Sequence, residues 1–454
     1  SAPPPPGEAG VTALLGQIGE NLLALSPESA TSLGLDTGAR AALRSRLADR
    51  SQAGQDRLAA TLRADLARAE AVDTSALTHS TRTSVEVVKS AYRVALDGFA
   101  QPYGDVAVGG WRNTPYVVIQ NVGAYLHVPR FLDSDHPVRN AADAEAYLAR
   151  LESYAAQLEG ELARLKAAAG KGLIAPAFLI DKATAQMAMS NKGARVGGGL
   201  VESLERRTKN IPGDWAARAR SIAQQKIAPA LGQQLAELQA QRPRATMDAG
   251  MWARPHGPEF YQWALRASTT TRMTPDEIHQ MGLDQVAELH GRMDPILKGL
   301  GYTQGTVGAR MTSLSEDPRY KFAEGDPGRA EMMAFIQERL KIIRAQLPRA
   351  FRTLVRGNLE VKRLPPEEEP GAPGAYGGAG SIGGSIPGKF WINLRTTDLH
   401  RKYDLPALTH HEAIPGHVWQ GEYSNQLPLI RTMLAFNAYS EGWALYAEQL
   451  VDEL

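Results

Sequence analysis

The apolar positions in the first half of the chain recur at three- and four-residue steps, the spacing that places side chains on one face of an α-helix. The segment 39–71 is dense in Ala, Leu and Arg and follows this period. The segment 141–169 repeats the pattern, with Leu148 and Leu151 on one stripe. Residues 11–241 are therefore predicted to be mostly helical.

Further elements are indicated by helix-breaking and capping residues. The stretch 101–137 is rich in Gly and Pro and contains an apolar run at 116–119, which predicts a short strand or a buried loop. Another long helix is predicted over 214–241. Thr274 is a favourable N-cap and Pro275 suits the first helical position, so a helix is predicted to begin there.

The pattern changes in the last hundred residues. The segment 354–363 alternates apolar and polar positions like a strand, and 389–394 is rich in β-favouring residues. The Pro- and Glu-rich segment 365–370 predicts a solvated loop. Between them, residues 371–388 contain eight glycines. A small β element is therefore predicted near the C-terminal end.

Two more helices are predicted, over 405–423 and 428–454. The fold class that follows is mainly α, with a small β element. We divide the chain into a flexible N-terminal tail at 1–10, a helical scaffold lobe at 11–250 and a second lobe at 251–454.

Composition excludes several classes of protein. The 50 Lys and Arg balance 49 Asp and Glu, which argues against a nucleic-acid binder. The chain contains no Cys, so disulfides, thiolate zinc sites and cysteine nucleophiles are excluded. No apolar run reaches the roughly 18 residues that span a bilayer. We therefore expect a globular protein with neither a membrane span nor a nucleic-acid partner.

The first ten residues, SAPPPPGEAG, have no helical period. They resemble the segment that follows a removed signal peptide, which predicts a periplasmic or secreted protein. A remnant of cloning is the alternative interpretation.

A His-Glu pair, His411-Glu412, is followed closely by His417. In zinc hydrolases with such a pattern both imidazoles bind the metal, and the Glu activates the attacking water. The two His are six residues apart rather than four, which on an ideal helix rotates them by about 120° and separates them by roughly 9 Å along the axis. Pro415 and Gly416 lie between them and both interrupt helices. We therefore predict a kink that turns His417 back toward His411.

Glu441 is the expected third ligand. It follows His417 by 24 residues, an interval that fits a helix, a turn and an antiparallel return helix. A carboxylate beside apolar residues is costly unless it binds metal or, as the alternative, pairs with an Arg. Glu448 lies on nearly the same helix face and is positioned to hydrogen-bond a ligating His. For His410 we favour packing, or a hydrogen bond that supports the ligands, over metal ligation.

The segments 411–417 (HEAIPGH) and 440–448 (SEGWALYAE) resemble a bacterial family known as domain of unknown function 885. The resemblance continues at 259–266, 274–279 and 390–393 and covers most of the chain. That family is similar in plan to the gluzincin group of thimet oligopeptidase and angiotensin-converting enzyme. In that plan a channel lies between two helical lobes and zinc lies at its floor.

The resemblance implies that His411, His417 and Glu441 bind Zn²⁺ and that Glu412 is the general base and acid. It implies a zinc-dependent metallopeptidase that cleaves short peptides. It also implies that the strand at 391–394 is the edge strand that pairs with a substrate backbone, covered by a mobile Gly-rich segment.

The family pattern continues with an Arg-Tyr and a Pro-Gly-Gln-x-x-x-Tyr segment, whereas this sequence ends at Leu454. We therefore expect the lobe 251–454 to be incomplete at its C-terminus. A separate C-terminal segment of the same protein is a candidate partner, besides the peptide substrate.

Other assignments remain open. Hydrolysis of a non-peptide amide and a catalytically inactive metal- or peptide-binding protein are alternative functions, although an intact Glu412 favours an enzyme. Iron and manganese are alternative metals, because two His and a carboxylate also form non-haem iron sites. Tyr376, Tyr439 and Tyr446 are candidate donors to a tetrahedral oxyanion, with core packing as the alternative.

Overall fold

Helices account for most of the chain, as the apolar period predicts. The computed structural model describes residues 7–109 and 112–454. The helices of the first half are α1 Glu8–Ala24, α2 Pro27–Ser32, α3 Gln52–Glu70, α4 His79–Phe99, α5 Ala124–Ser134, α6 Ala141–Gly170, α7 Ala177–Arg195, α8 Gly198–Arg207, α9 Trp215–Ile222 and α10 Ala228–Gln241.

The second half continues with helices and adds a small sheet. Its helices are α11 Gly257–Thr269, α12 Pro275–Gly299, α13 Val307–Glu316, α14 Gly325–Gln346, α15 Leu405–Glu412, α16 His417–Ser424, α17 Leu429–Met433 and α18 Asn437–Glu453. Its strands are β1 Leu359–Arg363, β2 Ala375–Gly378 and β3 Gly388–Ile392. The mainly α fold class with a small β element is confirmed.

The sheet has the order β1-β3-β2, with β3 parallel to β1 and antiparallel to β2. The expectation that the strand near 391–394 is an edge strand is therefore wrong: β3 is central, and its hydrogen bonds are used on both sides. The Gly-rich segment supplies β2, which is an edge of this sheet. The sequence pattern could not give the strand order, because the apolar residues of β3 are compatible with either a central or an edge strand.

The three largest apolar cores of the described residues hold most of the elements together. One lies among α5 to α10 and the loop before them, with Leu151 and Ile180 fully buried. A second lies between one face of the sheet and α14 to α16, with Phe390 fully buried. The third joins α1, α3 and α4 to Ile430 and Leu434 near the C-terminal end. The division at residue 250 stays a prediction.

Several helix predictions hold at their ends. The predicted helix at 141–169 is α6, and Asn140 caps it through its side chain. Thr274 caps α12 as predicted, and Glu277 completes a capping box with it.

The apolar run 116–119 lies in a buried loop. No helix among the described residues is long and apolar enough to cross a membrane.

Other boundaries differ from those predicted. Helix α1 begins at Glu8, inside the predicted tail at 1–10, and residues 1–6 lie outside the described part of the chain. The segment 39–71 is a 3₁₀-helix, Gly38–Ser45, followed by α3 rather than one helix. The segment 428–454 is divided into α17 and α18.

The loop at 365–370 is not solvated throughout. Glu368 and Glu369 are buried there, because each carboxylate meets a guanidinium: Arg130 at 3.0 Å and Arg363 at 2.6 Å, respectively. Arg363 lies just before the loop, but Arg130 lies more than two hundred residues earlier, so local composition could not indicate the partner of Glu368.

Candidate metal centre

The helix that carries the first histidine ends immediately after it. Helix α15 stops at Glu412, and α16 begins at His417. The four intervening residues include a cis peptide bond between Ile414 and Pro415. A Cβ on Gly416 would lie 1.8 Å from the carbonyl oxygen of His411, so only glycine fits. The predicted break is therefore present, and it is a full interruption of the helix.

Helix α18 is fixed to this break by a side chain that the sequence analysis did not single out. The indole Nε1 of Trp443 donates a hydrogen bond of 2.8 Å to the carbonyl oxygen of Pro415. Trp443 also packs edge-on against Phe351. Since Glu441 lies two residues earlier on the same helix, this bond helps to fix the position of Glu441 relative to the two histidines.

The structure brings together the three residues predicted as ligands. Oε2 of Glu441 lies 3.2 Å from Nε2 of His411 and 3.4 Å from Nε2 of His417. The two imidazole rings have centroids 4.9 Å apart and planes at 87°. One ligand atom from each residue lies within 4.8 Å of the others.

These distances and donor types fit a tetrahedral metal ion. Ligand atoms bound to zinc at about 2.0–2.1 Å in tetrahedral geometry are about 3.3 Å apart. The separations of 3.2 and 3.4 Å from Glu441 to the histidines match that edge length. Two imidazole nitrogens and one carboxylate oxygen, with a fourth position left open, form the donor set of catalytic zinc sites.

The orientation of His411 is set by Glu448. The Nδ1 of His411 lies 2.8 Å from Oε1 of Glu448, so its Nε2 is the nitrogen directed to Glu441. A carboxylate on the far ring nitrogen fixes the tautomer and raises the basicity of a ligating imidazole. His410 is turned away from this cluster: it is buried, and its Nδ1 lies 3.0 Å from the carbonyl oxygen of Ile414. The packing interpretation of His410 therefore agrees with the structure.

Glu412 lies beside the ligand atoms, with Oε1 at 4.0 Å from Nε2 of His411. Its side chain is buried, and burial raises its pKa, against the lowering effect of His417 and His411. Strand β2 runs along its backbone. A Cβ on Gly377 would lie 2.1 Å from the carbonyl oxygen of Glu412, so a glycine is needed for this approach.

The electrostatics of the cluster favour a cation. Burial alone would lower the pKa of His411, but hydrogen bonds to Glu441 and Glu448 and the charge of Glu412 raise it to about 9. Hydrogen bonds from His411 and His417 hold the pKa of Glu441 well below its usual range. Three carboxylates thus surround two imidazoles, an arrangement that a divalent cation would stabilise.

The tyrosines predicted as oxyanion donors have different positions. Tyr439 and Tyr446 lie on α18 and are 66% and 49% exposed, so neither packs in the core. Tyr376 lies in β2, where the guanidinium of Arg130 stands 5.3 Å from its ring centroid.

Comparison with known proteins assigns the chain to a family. A model described as a bacterial protein of unknown function, DUF885, matches residues 27–454. The chain belongs to this DUF885 family. A search of curated proteins finds no match for this DUF885 chain.

Two solved structures resemble the DUF885 chain. One is of a proposed lipoprotein from Colwellia psychrerythraea, with 28% identity and a TM-score of 0.89 over 98% of this chain and 78% of that one. The other is of a proposed lipoprotein of unknown function from Shewanella oneidensis, with 18% identity and a TM-score of 0.60 over 98% of this chain and 77% of that one. The second likeness concerns the fold alone.

The contact between Glu448 and His411 can be tested in this DUF885 protein by metal titration. We expect Glu448→Gln to weaken zinc affinity by about 10- to 100-fold, because the imidazole loses the carboxylate that orients it. Asp452→Asn is the matched control, since it removes an exposed carboxylate from the same helix. Equal affinities for the two variants would contradict the role given to Glu448.

Proposed function

We propose that this protein is a zinc-dependent metallopeptidase that cleaves short peptides. The observation that supports this most strongly is that Glu441 lies at tetrahedral separations from both His411 and His417. The buried carboxylate of Glu412 lies beside them. A purely structural site would have no use for that additional carboxylate. When bound, zinc would polarise the substrate carbonyl and make water a better nucleophile near neutral pH.

Glu412 is the proposed general base and acid. Its carboxylate is shielded from bulk water and lies on the side of His411 that carries the ligating nitrogen. In this position it accepts a proton from the attacking water and delivers it to the leaving nitrogen of the cleaved bond. Both transfers use the same oxygen atoms, so no second acid is required.

The substrate backbone is proposed to lie along β2 rather than along β3. Strand β2 pairs with β3 on one side only, and its other edge pairs with no strand among the described residues. An exposed edge can hydrogen-bond an extended peptide as an added strand. Because Gly377 touches the backbone of Glu412, a peptide held on this edge would pass close to the proposed base.

We also propose that the protein acts outside the cytoplasm, in the periplasm or as a secreted protein. The support is the description of the Colwellia psychrerythraea neighbour as a proposed lipoprotein. Fractionation of cells that express the full-length protein, with immunodetection, tests this. Recovery with the cytoplasmic fraction alone would contradict it.

The peptidase proposal is tested by digestion of short peptides of mixed sequence with zinc-loaded protein, followed by mass spectrometry of the products. We expect cleavage that a chelator abolishes and added zinc restores. A panel of non-peptide amides serves as the comparison. Turnover of those amides without cleavage of any peptide would contradict the assignment to peptidases.

A further inference from the structure

A cavity of about 620 Å³ lies along β2, on the side of the sheet that faces α5. Five consecutive residues, 376–380, line it, whereas β3 contributes only the alternating Lys389 and Trp391. Successive residues of a strand point to opposite faces. The alternating pattern therefore marks a sheet face, and the continuous run shows that the cavity also reaches the backbone of β2.

Two arginine side chains lie against the aromatic rings of Tyr376 and Trp391, which line this cavity. The guanidinium of Arg130 lies 5.3 Å from the ring centroid of Tyr376 and 5.9 Å from that of Trp391. The guanidinium of Arg112 lies 5.8 Å from the ring centroid of Tyr376. Arg130 donates through Nη1 to Oε1 of Glu368 at 3.0 Å. Its Nη2 also lies 3.4 Å from Nδ1 of His127. A guanidinium carries five N–H donors, so these two contacts leave Arg130 with capacity for a further acceptor.

The acidic residues at one end of the cavity are neutralised within the protein. Arg50 lies 2.9 Å from Asp105 and 3.2 Å from Glu161, and Arg164 lies 2.9 Å from Asp105. Two arginines are thus paired with two carboxylates in salt bridges. This network adds no net charge to the cavity.

Two further carboxylates line the cavity. Glu28 accepts hydrogen bonds from the backbone N–H of Ala48 at 2.8 Å and from Gln157 at 3.2 Å. Asp135 accepts one from Ser32 at 2.6 Å, and burial raises its pKa, which favours the uncharged form.

His127 also lines this cavity. Burial, together with the charges of Arg130, Arg112 and Arg50, lowers its pKa to about 3. The imidazole is therefore neutral at physiological pH and contributes no cation of its own.

We propose that this cavity is a substrate subsite that binds a carboxylate group, held by Arg130 together with Arg112 above Tyr376. A peptide on the β2 edge would lie against Glu412 on one side and present alternate groups to the cavity on the other. The carboxylate is either the C-terminus of the peptide or an acidic side chain. The volume of the cavity is that of an ordinary small-molecule site. The inference rests on the proposed peptidase function, which gives the substrate class.

The test is peptide binding by the full 454-residue chain in the presence of a chelator, where nothing is cleaved. Acetylated tetra-alanine with a free C-terminal carboxylate is compared with its C-terminal amide by calorimetric titration. A second pair of C-terminal amides carries Glu or Gln at the second position. We expect the carboxylate-bearing member of at least one pair to bind about tenfold more tightly. The pair that shows the preference identifies the source of the carboxylate.

The matched variant is Arg130→Gln combined with Glu368→Gln, which removes both charges of a partly buried ion pair and avoids an unpaired carboxylate. We expect it to lose the carboxylate preference, whereas Arg206→Gln, at an exposed arginine, retains it. Equal binding within both peptide pairs, or an unchanged preference in the double variant, would overturn the inference. Because the measurement needs neither metal nor turnover, failure of the peptidase proposal would leave its outcome unaffected.

Discussion

Peptide turnover by the Glu412→Gln variant is expected to fall by a factor of about 10² to 10⁴, while the zinc content per chain stays unchanged. Glutamine preserves the shape of the side chain and its burial next to His411, but it cannot accept the proton of the attacking water. The loss should appear in kcat, since the metal ligands and the β2 edge are unaltered. Measured kcat values and metal content for the two proteins check this.

Glu453→Gln is the control for that experiment, because it neutralises an exposed carboxylate at the end of α18. It should retain full turnover. If Glu412→Gln also retained all activity, the proposed role of Glu412 would be wrong even if zinc were bound.

Gly416→Ala is expected to destabilise the protein by several kcal/mol and to weaken zinc binding, although it changes no ligand. The added Cβ would lie 1.8 Å from the carbonyl oxygen of His411 and 2.3 Å from that of His410. The chain between Glu412 and His417 must therefore shift, and His417 moves with it. Thermal unfolding and zinc titration measure the two effects.

The control is Gly442→Ala, a glycine inside α18 and next to Glu441. A Cβ there would meet nothing within 4 Å, and alanine favours a helix over glycine. We expect unchanged zinc affinity and equal or higher stability. An equal loss of affinity in the two variants would mean that the break has no special role.

The cluster of His411, His417 and Glu441 was predictable because its geometry depends on local rules. A proline and a glycine between His411 and His417 must interrupt the helix, and the interval to Glu441 fits a return helix. The sequence therefore indicated all three residues that the structure brings together, and Glu448 with them. Trp443 was overlooked, although it lies inside the same recognised segment, because its bond to Pro415 depends on how α18 meets the break.

The surroundings of the cluster were less predictable because they depend on long-range pairing. The order of the three strands places β2 at the edge, and nothing in residues 375–378 distinguishes that position from a loop. The burial of Glu368 depends on Arg130, more than two hundred residues earlier in the chain. Such contacts carry no local signal, so the cavity beside β2 became visible only in the structure.

The central claim is that His411, His417 and Glu441 form one metal site, and metal content measured by mass spectrometry tests it most directly. The wild-type chain, incubated with zinc and then desalted, should retain about one zinc ion per molecule. His417→Ala, treated in the same way, should retain almost none while keeping its helical circular-dichroism spectrum. Absence of zinc from the wild-type chain, or equal zinc in the two proteins, would contradict the assignment.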